Sequence, residues 1–153
     1  MKINKVAIIS KVGSKKSESA AVEVAKKLLK LKSQVFTIAP IYVKGAKKVH
    51  SLEDLKKIKI DLAITLGGDG TTLRTFRNLE NEIPLLAINV GGNRGILSEI
   101  TLGEIDKALQ HIKKNEIWID KRTRVVGSCN DQTFQPALNE IYVNRKNLTK
   151  TAE

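Results

Sequence analysis

Four short apolar runs constrain this chain more than any other feature: "INKVAIIS", "QVFTIAP", "IDLAITL" and "PLLAINV". Each is rich in β-branched residues and shows no polar alternation, which is the pattern of a strand covered on both faces. Segments with helical spacing separate them. After Gly13, Ser17 is a plausible N-cap for a helix whose stripe is Ala20, Ala21, Val24, Leu28 and Leu31. Ser51 is placed to cap a short helix carrying Leu52, Leu55 and Ile58. Leu73, Phe76 and Leu79 recur at helical spacing after the third run. Thr101 and Glu104 form a capping-box signature ahead of Ile105, Ala108, Leu109 and Ile112. Strand and helix thus alternate four times. That rhythm predicts an α/β fold, a parallel sheet with helices on both faces.

The rhythm changes after about Lys121. "EIWIDKRTRVVGS" and "ALNEIYVNR" read as strands with no helix between them. Residues 1–121 are therefore expected to form the α/β domain, and 122–153 the beginning of a β-rich one. The 41% hydrophobic content is that of a folded chain, and 153 residues suffice for a sizeable core. No apolar run approaches the roughly 18 residues of a membrane span, and "MKINKVAIIS" has no cleavage pattern of a signal peptide. One cysteine, Cys129, excludes an internal disulfide framework and fits a reducing, cytoplasmic location.

A formal charge of +11 favours polyanionic partners: nucleic acid, acidic membranes or phosphorylated small molecules. The lysines are scattered over helix surfaces, as at Lys26, Lys27, Lys30 and Lys32. Aromatics at 4% are too few for a base-stacking platform. Neither a nucleic-acid nor a membrane partner is expected. His50, His111 and Cys129 lack the spacing of a zinc site, no metal ligand is assigned, and Trp118 is expected in a core.

The third strand runs directly into "GGDGTTLRTF". Gly67, Gly68 and Gly70 carry no side chains, so a ligand can approach the main chain closely. Their N–H groups, with a helix starting at Thr71 and Thr72, form a concave site for anionic oxygens. The competing reading is a tight turn, since Asp-Gly is a common turn dipeptide. No Lys-Ser/Thr pair follows, so this is not a Walker loop, and Leu73 stands where a dinucleotide fingerprint has its third glycine. Positive charge must come from elsewhere, and Arg74 and Arg77 stand one turn on. Asp69 could hold a metal ion, cap the helix, or accept the proton of a hydroxyl that attacks a phosphate.

"GGDGTTLRTF" resembles the GGDG signature of the NAD kinases, whose wider group includes diacylglycerol and sphingosine kinases and phosphofructokinase. "INVGGNRGILSE" resembles that family's second motif, in which an asparagine, here Asn89, and two glycines precede a Phe-Leu pair. "ALNEIYV" is similar to its Asn-Glu motif. The resemblance implies phosphoryl transfer from ATP, with a divalent ion such as Mg²⁺, to the 2′-hydroxyl of the adenosine ribose of NAD, giving NADP. Some relatives use inorganic polyphosphate. Asp69 would be the catalytic residue; Gly67, Gly68, Gly70, Thr71, Leu73, Arg74 and Asn89 would line the ligand. Asn139 and Glu140 would hold a ribose and the nicotinamide half, and Lys150 would lie near the ligand.

Two departures stand out. Gly91, Gly92, Asn93 and Arg94 precede Gly95, one residue more than the family pattern, and Ile96 replaces its phenylalanine. Family members also continue through a longer β-rich domain and oligomerise when full length. The chain is thus expected to be an N-terminal portion with little activity alone. Alternatives are a lipid or sugar kinase on the same loop, or a non-catalytic basic module that binds nucleic acid.

Overall fold

A computed structural model describes residues 3–79, 83–91 and 95–143. The chain divides into two compact units, Met1–Asp120 and Lys121–Glu153. The first opens with β1 (Lys5–Ser10), α1 (Lys15–Lys30), β2 (Gln34–Ile38), β3 (Lys47–Val49) and α2 (Leu52–Lys56). It continues with β4 (Leu62–Gly67), α3 (Asp69–Asn78), β5 (Leu85–Asn89) and β6 (Ile100–Thr101). A 3-10 turn (Leu102–Glu104) then leads into α4 (Ile105–Lys114).

The strands form one six-stranded sheet in the order β3-β2-β1-β4-β5-β6, and every neighbouring pair is parallel. β1 and β4 are central, with Ile8 opposite Ile64. Successive residues of β1 serve opposite faces. Val6 and Ile8 join Val24, Leu28, Ile64, Ile88 and Leu109 in one cluster. Ala7 and Ile9 join Phe36, Leu55, Ile60, Ala63 and Leu79 in the other. Two cores on one sheet explain why these strands are apolar without a break. At about 1.5–3 kcal/mol for each large side chain removed from water, the central strands carry much of the unit's stability.

The four anticipated strands and the parallel sheet are as the sequence predicts. Two short strands, β3 and β6, add to them; three and two residues are too few for periodicity to register. The Ser51 cap is present, its hydroxyl accepting from the Asp54 amide at 3.2 Å. So is the Thr101–Glu104 box, with the Thr101 amide donating to Glu104 Oε2 at 2.8 Å. The cap of α1 is Ser14 instead of Ser17: Ser14 Oγ accepts from the Ser17 amide at 3.3 Å, and Ser17 is buried one turn in. The stripe expected on α3 is also displaced. Its buried face is Thr71, Thr72 and Thr75; of the expected residues Leu79 is buried, while Leu73 and Phe76 are half-exposed.

The second unit holds a small antiparallel pair, β7 (Ser128–Cys129) and β8 (Gln132–Thr133). Asn130 and Asp131 turn the hairpin with φ of 48° and 61°, a conformation these two side chains tolerate. Val125 bridges Ala137. The strands expected across "EIWIDKRTRVVGS" and "ALNEIYVNR" reduce to these pieces; the rest of their described residues is irregular. Trp118, expected in a core, is 93% exposed. Among the described residues no helix is long and apolar enough to cross a membrane.

Candidate functional site

From β1 the chain crosses to β2 on one side, and from β4 to β5 on the other. The direction of winding therefore reverses between β1 and β4. Loops at the carboxyl ends of such strands diverge and leave a crevice, where ligands of open α/β sheets bind. The GGDG loop follows β4 at that point.

Its three glycines are not equivalent. Gly67 is the last residue of β4, opposite Asn89. A Cβ on it would stand 2.5 Å from Thr71 Oγ1 and 3.2 Å from Lys11 Cβ, so this glycine is required by packing. A Cβ on Gly68 or Gly70 would meet nothing within 4 Å. Those two leave the main chain open to a ligand. Gly68 is the N-cap of α3, so the helix begins at Asp69, two residues before Thr71. The amides of Thr71 and Thr72 both donate to Gly68 O, at 3.0 and 3.3 Å. Those of Asp69 and Gly70 start the helix without intrahelical acceptors.

The threonines of α3 turn inward. Thr72 Oγ1 and Thr65 Oγ1 share a buried hydrogen bond of 3.1 Å, and Thr75 Oγ1 donates to Thr71 O at 2.9 Å. Thr71 itself is buried, its hydroxyl packed toward Gly67.

Asp69 does not cap the helix. Its Oδ2 accepts from the Ile96 amide at 3.0 Å and its Oδ1 from the Leu97 amide at 3.2 Å. The half-buried carboxylate is thus fastened to the segment after β5. A Cβ on Gly95 would overlap that carboxylate. Asn89 is buried, and its Oδ1 accepts from the Gly91 amide at 2.9 Å. Gly91 has φ of 144° and lies under the side chain of Lys16, since a Cβ there would be 2.5 Å from Lys16 Nζ. Arg74 and Arg77 are exposed. Arg74 lines a cleft of roughly 350 Å³ with Ser10, Pro40, His50, Ser51 and Asn78.

One edge of the sheet therefore gathers two open glycines, a fixed carboxylate and a lysine. Residues 6–117 match the ATP-NAD kinase N-terminal domain. The chain belongs to the ATP-NAD kinase family.

The chain is 36% identical over 110 residues to the NAD kinase of Thermococcus sibiricus, a match covering 67% of this chain and 40% of that protein. It is 39% identical over 90 residues to the NAD kinase of Methanothermobacter thermautotrophicus, covering 58% and 31%. It therefore spans less than half the length of these relatives. Yeast NADH kinase complexed with NADH is similar in fold, with a TM-score of 0.64 at 22% identity over 73% of this chain and 36% of that one. An NAD kinase from Archaeoglobus fulgidus in complex with ATP gives 0.60 at 19%, covering 84% and 45%.

The remaining candidates from the NAD kinase motifs are Asn139, Glu140 and Lys150. Asn139 and Glu140 lie in the second unit, exposed and outside regular structure. Lys150 falls outside the described residues, as do Gly92, Asn93 and Arg94. Among the described residues no three His, Cys, Asp or Glu side chains are grouped to hold a metal ion. Sequence reasoning missed Lys16 and the Ile96 and Leu97 amides. Lys16 is one lysine among many, and a backbone donor leaves no mark on residue type.

Proposed function

We propose that this chain carries the catalytic loop of an NAD kinase, which transfers the γ-phosphoryl group of ATP to the 2′-hydroxyl of the adenosine ribose of NAD. The observation that carries this reading is Asp69, an oriented carboxylate at the reversal point of a parallel sheet, between two glycines that leave the main chain open. The ribose hydroxyl donates to a carboxylate oxygen of Asp69. The 2′-oxygen forms its bond to the γ-phosphorus as the bond to the β,γ-bridging oxygen breaks, and the proton passes to Asp69. ADP and NADP leave. Little covalent chemistry falls to the protein, so positioning and charge dominate.

Gly68, Gly70 and the free amides of Asp69 and Gly70 face the phosphates, with Thr71 next to them in the first turn of α3; Gly67 holds the loop to Asn89 and the sheet. Lys16 and Arg74 supply the positive charge that the loop lacks. Leu73 presents an apolar surface to the dinucleotide. Asn139 and Glu140, in the β-rich NAD-binding part that we assign to residues 122–153, hold a ribose and the nicotinamide half, with Lys150 near the ligand. A divalent ion such as Mg²⁺, when bound with the donor, would neutralise phosphate charge. Inorganic polyphosphate offers the same phosphoryl chemistry as a donor. The names of the relatives and the NADH and ATP held by the two similar structures support this reading.

The test is NADP formation from ATP and NAD, measured on these residues within a chain of the relatives' full length and compared with Asp69→Asn. An amide keeps the shape and loses the proton acceptor, so kcat is expected to fall about 10²–10⁴-fold with KM little changed. Undiminished turnover by the variant would overturn the assignment.

A further inference from the structure

We infer that the main chain of Gly95–Leu97 is the positioning device of the reaction, fixing the direction in which Asp69 accepts its proton. The inference rests on the role proposed for Asp69. Each carboxylate oxygen has two lone pairs. The Ile96 amide occupies one on Oδ2 and the Leu97 amide one on Oδ1. Each oxygen keeps one acceptor site for a hydroxyl, and the rotation of the carboxyl group is settled before any ligand arrives.

The segment is built for that contact and for little else. Ile96 is 90% exposed, so its side chain adds almost nothing to packing while its amide is committed to Asp69. Leu97 is buried and anchors the segment, and the Glu99 amide donates to Ala87 O of β5 at 3.0 Å. The pair of donors is therefore tied to the sheet from which the loop bearing Asp69 emerges at the end of β4. Gly95 admits the carboxylate. It lies outside the left-handed region, so alanine is excluded there by overlap with Asp69 and not by backbone strain. A methyl group must displace either the carboxylate or the two amides. A misplacement of about 1 Å near the reacting atoms costs on the order of 10²-fold in rate.

Two measurements test this, hydrogen exchange on this chain and kinetics on a chain of the relatives' full length. The first needs no turnover: amide hydrogen exchange at Ile96 and Leu97 is expected to accelerate at least tenfold in Asp69→Ala and in Gly95→Ala. Gly103→Ala is the folded control, since its Cβ would meet only Thr101 Oγ1, at 4.0 Å. Its exchange at these amides should equal that of the native chain. The second is kinetic: Gly95→Ala should lower kcat for NADP formation about 100-fold with KM for NAD within threefold, a split that general loosening of the fold would not give. Unchanged exchange in Asp69→Ala overturns the contact itself. Faster exchange in Gly95→Ala with native kcat overturns the positioning role and leaves the proposed function standing. Faster exchange in Asp69→Ala together with undiminished NADP synthesis overturns the role of Asp69, and this inference falls with it.

Discussion

Thr65 of β4 and Thr72 of α3 share a hydroxyl hydrogen bond of 3.1 Å in the interior, at 1% and 2% exposure. It fastens the first turn of the glycine-loop helix to the central strand of the sheet. Each hydroxyl is the other's partner, so removing one strands the other. Thr65→Val or Thr72→Val is expected to cost about 1–3 kcal/mol. The double variant, which removes both polar groups and keeps the shape, should cost less than the sum of the two. Urea unfolding of the four proteins checks this, and strict additivity would mean that the hydroxyls do not depend on one another.

The three glycines of the loop should separate by phenotype. Gly67→Ala sets a methyl group 2.5 Å from Thr71 Oγ1 and 3.1 Å from Thr71 Cβ. It is expected to destabilise the fold by about 1–3 kcal/mol, as overpacking does. Gly68→Ala and Gly70→Ala place theirs in open space. They should melt near the native temperature while weakening ATP binding, because the methyl group stands where phosphate oxygens approach the amides. Thermal melts alongside ATP titrations decide the matter. A destabilised Gly68→Ala with native affinity would reverse the assignment.

Much of this fold is legible because its strands are buried on both faces. "VAIIS" and "LAITL" leave few alternatives to a covered parallel strand, and both lie at the centre of the sheet. The loop's place followed from the topology, since a glycine cluster after a parallel strand stands at the ligand-binding edge. Helix α3 misled for a chemical reason. Its buried residues are threonines, whose hydroxyls bond Thr65 of β4 or the preceding turn, so of the apolar stripe drawn from Leu73, Phe76 and Leu79 only Leu79 is buried. Ser17, expected as the cap of α1, is buried in its first turn, and Ser14, three residues earlier, accepts from its amide and caps the helix instead. In the second unit, β-branched residues such as Val125 and Val126 suggested longer strands than the Val125–Ala137 bridge and the hairpin that form among the described residues.

Asp54, at the start of α2, carries a dependence on acidity. The Ser51 hydroxyl, 3.1 Å from its Oδ2, holds the carboxyl below the usual aspartate range, with the charge of Lys57 at 3.6 Å acting in the same sense. A carboxyl depressed in the folded state stabilises the fold at pH values above its unfolded pKa. That contribution is lost as pH falls through the folded value. Ser51→Ala should therefore be less stable than the native chain at neutral pH, by the lost cap and the lost carboxylate contact together. The gap should narrow on acidification to the pH-independent part, the hydroxyl's bond to the Asp54 amide. NMR titration of Asp54 should show its midpoint rising in Ser51→Ala. An unmoved midpoint would assign the depression to Lys57.

Lys16 should matter for the phosphoryl donor and not for the fold. It stands in the first turn of α1, beyond β1, and its ammonium reaches across the reversal point to lie against Gly91. Among the described residues no carboxylate pairs with it. A GGDG loop has no lysine of its own, so a triphosphate bound there needs a cation from another element. A charge-assisted hydrogen bond to phosphate contributes about 1.5–3 kcal/mol. Lys16→Ala is accordingly expected to raise the Kd for ATP about tenfold or more, and Lys16→Arg, which keeps the charge, to recover most of it. The difference between native chain and Lys16→Ala should shrink as salt is raised, because screening weakens a solvent-exposed cation first. Lys107→Ala, at an exposed position of α4, serves as the control for nonspecific loss of charge. Equal losses from both variants would mean that net charge, not this lysine, draws the nucleotide to the chain.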